Sequence, residues 1–191
     1  MYFAISYALS TFKYLDQAPY FFLNSSCSSS NPSDIYIGIF PKYSWIICLQ
    51  GHTSGMHVSI GVDKLELFHY DSGSKQVEIA QAALREGFNV VCLEQVSLGI
   101  REERNLRKMS THPCFDAAMH HLLLGETLIG YRVMETLALS RYLREYKNAQ
   151  RIGMMGNSLG GSVSMYASAV SDDVDFAVLS CCLSSLKESL L

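Results

Sequence analysis

Positive charge is nowhere concentrated in this chain of 191 residues: 15 Lys and Arg are spread against 18 Asp and Glu, for a formal net charge of −3. Without a basic patch, neither nucleic acid nor an anionic membrane surface is expected as a partner. The six cysteines, at 27, 48, 92, 114, 181 and 182, include no C-x-x-C pair and no histidine at ligand spacing. No metal site and no cofactor are expected from them. Cys48 and Cys92 lie within apolar runs and read as small buried hydrophobes in a reducing compartment, which suggests the cytoplasm. The apolar start, residues 1–12, lacks a basic leader and a cleavage site and is too short to span a bilayer, so it reads as neither signal nor anchor.

What is present is a globular composition, 49% apolar with 17% charged residues, at a length that suits one domain. Residues 24–33, Asn-Ser-Ser-Cys-Ser-Ser-Ser-Asn-Pro-Ser, have loop composition and mark the end of an N-terminal segment, residues 1–34. Residues 35–40 alternate around Gly38 like an edge strand, and 45–49 (Trp-Ile-Ile-Cys-Leu) read as a fully buried one. A helical stretch over 75–86 stops at Gly87, and a second buried strand follows at 89–94. Strand, helix, strand implies a right-handed parallel crossover. It puts the loop Gln50-Gly51-His52-Thr53-Ser54-Gly55 at the carboxyl edge of the sheet, where such sheets build their sites.

Residues 97–116 lose periodicity, and their charges read as a solvated loop. From Asp116 the pattern turns helical, with Thr111 or Asp116 as the N-cap, and 122–146 carries apolar residues at three- and four-residue steps. Gly125 and Gly130 are expected to divide it into a short and a longer piece. A last buried strand is expected at 176–181, preceded by Asp172, Asp173 and Asp175 as solvated turn residues.

The densest chemical signal is Gly156-Asn157-Ser158-Leu159-Gly160-Gly161. Three fixed positions tried over about 190 starts give ~0.06 chance matches to Gly-x-Ser-x-Gly, so the context has to decide. An apolar run over 152–155 precedes the serine and a Pro-free helical stretch over 162–170 follows it, the strand-turn-helix setting that the pattern requires. Gly156 and Gly160 then let the neighbouring backbone close around a strained serine, and the helix N-terminus favours developing negative charge. The spacing of Gly153, Gly156 and Gly160 does not match a dinucleotide-binding turn.

This order of a Gly-rich loop after one strand and Gly-x-Ser-x-Gly-Gly after a later one resembles the α/β-hydrolase superfamily. Leu124-Gly125-Glu126-Thr127-Leu128-Ile129-Gly130-Tyr131-Arg132-Val133, leading into Arg151-Ile152-Gly153, looks like its acetyl xylan esterase and dienelactone hydrolase-like branch, and the likeness covers roughly residues 35–182. It implies an α/β fold, a three-layer α/β/α arrangement with a mostly parallel sheet, in a partial domain of residues 35–191 that lacks the C-terminal strands. It further implies Ser158 as nucleophile acting on a small-molecule carboxylic ester, with oxyanion N–H groups from Leu159 and His52. Many relatives have His-Gly where this chain has Gln50-Gly51. In this superfamily the acid and then the histidine follow the serine, but all six histidines here, 52, 57, 69, 112, 120 and 121, precede Ser158. The chain therefore reads as an N-terminal part or truncated form of such an enzyme. The alternatives are an inactive hydrolase-like domain used for binding, its open sheet edge available to another chain, and a prolyl-oligopeptidase-like peptidase.

Overall fold

The computed structural model describes residues 20–23, 43–52, 55–61, 64–65, 70–71, 78–102 and 114–183. The edge strand expected at 35–40, the Ser-rich segment and the candidate cap Thr111 lie outside these. Five strands, β1 (Tyr20–Leu23), β2 (Ser44–Leu49), β5 (Asn89–Leu93), β6 (Arg151–Asn157) and β7 (Phe176–Ser180), form one sheet in the order β1-β5-β2-β6-β7. A two-residue pair, β3 (Lys64–Leu65) with β4 (Tyr70–Asp71), stands apart from it. β2, β5, β6 and β7 are mutually parallel, and β1, from within the N-terminal segment, is antiparallel to β5.

Strand periodicity splits the central residues between two apolar layers. Ile47 and Leu49 of β2 pack with Val91, Ile152 and Met154 against α4 (Leu128–Lys147) and α5 (Leu159–Val170), through Val133, Leu139, Leu143 and Val163. Ile46 and Cys48 point the other way, with Val90 and Cys92, onto α1 (Met56–Ile60) and α2 (Ile79–Arg85). The strand that reads as one unbroken apolar run is thus buried on both faces, as a central parallel strand must be. Cys48 and Cys92 sit opposite each other in register, and the Cys48 thiol is pushed well above its ordinary pKa by its hydrogen bond with Cys92 and by burial. Neither is a reactive thiol.

The helical stretch before β6 divides at one glycine only. α3 (Phe115–Leu123) ends before Gly125, which takes φ 75° where a left-handed residue closes the helix, and α4 begins after Thr127, whose hydroxyl accepts the N–H of Gly130 at 3.1 Å. Gly130, expected to break the helix, lies inside it. Asp116 lies within the first turn of α3 and does not cap it; the residue at the cap is Cys114. α5 begins at Leu159, directly after the serine.

Connections from β2 run to β5 on one side, whereas the chain after β6 runs to β7 on the other. The carboxyl ends of β2 and β6 are therefore adjacent while the segments leaving them diverge, which opens a crevice at the sheet's topological switch point.

Candidate active site

Ser158 follows the last residue of β6 and adopts φ 51° and ψ −114°, a conformation that L-residues rarely occupy. Backbone bonds on both sides hold it there. Its N–H donates to the carbonyl of Ser180 at 2.7 Å, tying the turn to the end of β7, and its carbonyl accepts the N–H of Ser162 at 3.0 Å within α5. The hydroxyl does not cap the helix, and the residue is exposed. Leu159 is the first residue of α5, so its N–H is among the four that a helix leaves without an intrahelical acceptor.

The flanking glycines are demanded by contact. A Cβ on Gly156 would run into the backbone of Gly160 and Gly161, and one on Gly160 into the carbonyls of Leu49 and Gln50 at the end of β2. Helix α5 can start this close to β2 only because neither position carries a side chain. A Cβ on Gly161 would press on the Cβ and Sγ of Cys182 at 2.8 Å, so the chain leaving β7 also closes on the turn.

The loop after β2 comes alongside. Gln95 Nε2 donates to the Gln50 carbonyl at 2.8 Å, and Gln50 Oε1 accepts the Gly51 N–H at 3.2 Å. Gly51 faces Ser158: a Cβ there would lie 3.4 Å from the Ser158 Cβ. His52, next along, lines with Ser158 and Leu159 an open cleft of about 350 Å³. The structure thus brings Ser158, Leu159 and His52 to one crevice, with Gly156 and Gly160 buried behind the turn.

The remaining walls are Arg132, Ser162, Cys181 and Cys182, which the sequence reading did not single out. For Arg132 a signal exists. It falls in the i+4 row Leu128, Arg132, Thr136, Ser140, every member of which is buried, so a cation stands where helical periodicity calls for a core residue. It is 3% exposed; its Nε and Nη2 donate to the Val96 carbonyl at 3.2 and 2.9 Å, and Nη2 reaches Cys114 Sγ at 3.1 Å.

The other described histidines stand away from the cleft. His57 is buried in α1, where desolvation lowers its pKa and favours the neutral ring. His120 is exposed on α3, and His121 contacts Glu126 at 3.4 Å and the Tyr131 ring at 4.9 Å between centroids. Asp173 and Asp175 lie at the opposite, amino edge and are more than solvated turn residues. Asp175 accepts the Ile152 N–H at 2.6 Å and Arg144 at 2.8 Å, and Asp173 takes Arg141 at 3.2 Å, clamping the turn to β6 and α4. Among the described residues, no three His, Cys, Asp or Glu side chains converge as metal ligands, and no helix is long and apolar enough to cross a membrane.

No protein-family model matches the chain, and no curated protein matches it in sequence. Solved structures do match. A Bacteroides fragilis protein provisionally assigned as an acetyl xylan esterase aligns with a TM-score of 0.58 at 16% identity, over 70% of this chain and 36% of its own. An esterase of Pyrococcus furiosus aligns with a TM-score of 0.47 at 18% identity, over 76% and 42%, and Est1E of Butyrivibrio proteoclasticus, solved with ferulic acid, with 0.46 at 14%, over 82% and 45%. The chain spans less than half the length of these structures. With the parallel sheet order and its flanking helices, the first of these likenesses establishes the architecture: the chain has an α/β fold resembling that of the α/β-hydrolase superfamily.

Proposed function

We propose that this chain carries the nucleophile half of a serine hydrolase acting on carboxylic esters, with Ser158 as the attacking group. The observation that carries the reading is the backbone of Ser158, held at φ 51° between two sterically obligatory glycines, with an exposed hydroxyl at the head of α5. A strained serine between strand and helix presents its oxygen above the sheet edge, where an ester carbonyl can approach. Attack forms the Oγ–C bond and moves the carbonyl π pair onto oxygen. The N–H groups of Leu159 and His52 are assigned to hold that oxyanion, aided by the α5 dipole. The leaving alcohol departs with a proton, and water then releases the acid and regenerates the serine.

The serine proton needs a base. Since no histidine follows Ser158 and this chain covers only 36% of the matched Bacteroides fragilis structure, the base is assigned to residues outside these 191. A fluorophosphonate probe, with imidazole supplied as a diffusible base, is expected to label Ser158 and to leave Ser158→Ala unlabelled. Equal labelling of the two would sink the assignment.

One feature favours a second reading, a binding or assembly domain without catalysis. β7 is an edge of the described sheet and its Val178 is 43% exposed. Strand addition there would join a second copy or another protein, and a concentration-dependent mass in sedimentation, lost on Val178→Lys, would support it.

A further inference from the structure

We infer that the cleft selects esters carrying a carboxylate a few bonds from the scissile carbonyl, and that Arg132 is the residue that anchors this second group. The inference rests on the reading of Ser158 as nucleophile, and the charge balance of the cleft supplies it. Arg132 is a fixed cation, since a guanidinium does not deprotonate in proteins. It is 3% exposed, and burying a charge is costly unless an opposite charge compensates it. Its hydrogen-bond partners, the Val96 carbonyl and Cys114 Sγ, are reached through Nε and Nη2. A guanidinium has five N–H donors, so the two on Nη1 remain. Among the described residues no carboxylate meets Arg132. The nearby acids are engaged elsewhere: Glu135 pairs with Arg101, and Glu94 accepts the Met56 N–H at 3.0 Å.

Among the described residues no Asp or Glu lines the cleft, whereas the N-terminus of the 12-residue helix α5 opens into it at Ser158 and Leu159. The guanidinium and the helix terminus therefore give one side of the cleft a positive potential that the chain's net charge of −3 does not share. Arginine's planar fork matches a carboxylate, and desolvation strengthens that pairing. Ser158 and Arg132 line one cleft of about 350 Å³, room for a short dicarboxylate half-ester with its ester carbon at Ser158 and its free carboxylate at Arg132.

The test uses Ser158→Ala, which binds without transferring an acyl group, and titrates it by calorimetry with monomethyl succinate and dimethyl succinate at equal ionic strength. The half-ester is expected to bind on the order of tenfold more tightly than the diester. Adding Arg132→Met is expected to remove the difference, and Arg132→Lys to restore part of it, each checked for a native near-ultraviolet spectrum. Should Arg132→Met not fold, the half-ester preference in the protein that keeps Arg132 decides, together with its decline as salt is raised. Equal affinities for the two esters, or a preference that survives in a folded Arg132→Met protein, would overturn the inference. Phosphonate labelling of Ser158 separates the two claims: labelling without a half-ester preference removes the anion anchor alone, and a preference without labelling removes the nucleophile alone.

Discussion

Replacing Ser158 by glycine should make the protein more stable than replacing it by alanine. Ser158 sits at φ 51° and ψ −114°, and a side chain held in so sparsely populated a region costs ~1–3 kcal/mol. Alanine keeps the Cβ and with it the strain, while losing a hydroxyl that is exposed and caps nothing. Glycine removes the Cβ, at an entropic cost in the unfolded chain of ~0.5–1 kcal/mol. The net gain of Ser158→Gly over Ser158→Ala is therefore about 1 kcal/mol, or ~2–4 °C in Tm for a domain of this size. Urea denaturation of the two variants side by side reads it directly, with equal slopes showing that the same surface is exposed on unfolding. If Ser158→Gly proves no more stable than Ser158→Ala, the turn is not strained and the argument for a poised serine loses its physical basis.

Other expectations follow from the same geometry. Gly160→Ala and Gly156→Ala each force a Cβ into backbone and should lower stability by at least ~1–3 kcal/mol; Gly161→Ala, which meets the Cys182 side chain at 2.8 Å, should cost less, and a urea midpoint series on the three checks the order. His57 is buried with a lowered pKa, so the unfolded state takes up its proton more readily. The stability it confers is present above about pH 6.5 and lost as pH falls below that value, with a slope of at most ~1.4 kcal/mol per unit; His57→Gln should flatten the stability profile between pH 7.5 and 5.5, and an unchanged profile would assign the dependence elsewhere. Native-state alkylation with a maleimide should modify exposed Cys181 well before buried Cys48, Cys92 and Cys114, as peptide masses at early times would reveal, and prior reaction there should slow phosphonate labelling of Ser158 in the same cleft.

The parallel strands β2, β5 and β6 were legible because they are buried on both faces, whereas β7, expected to be buried, is a half-exposed edge strand. Trp45 to Leu49, 89–93 and 152–155 are short apolar runs with turn residues on either side, and the helix after Ser158 could be placed from the motif itself. β1 was not legible, because its four residues are a strand only through pairing with β5, a contact far away in sequence. Gly130 misled because the helix-breaking tendency of glycine is weak and Thr127 supplies the cap that lets α4 start before it. Asp175 looked like an ordinary turn residue, and its clamp on Ile152 and Arg144 depends on a tertiary approach no local pattern records. Within the site, the serine and its glycines announce themselves through spacing. Arg132 was hidden in plain periodicity, a cation in a buried helical row whose meaning appears only once the cleft is assembled.

The central claim, that Ser158 attacks an acyl carbon, is tested most directly by acyl transfer from an activated ester. The chain would be incubated with p-nitrophenyl acetate over a series of imidazole concentrations, quenched in acid and mapped by peptide mass. The expected result is acetylation confined to Ser158 at early times, rising with imidazole and absent in Ser158→Ala. Acetyl groups distributed over lysines alone, at a rate the same in both proteins, would contradict the account.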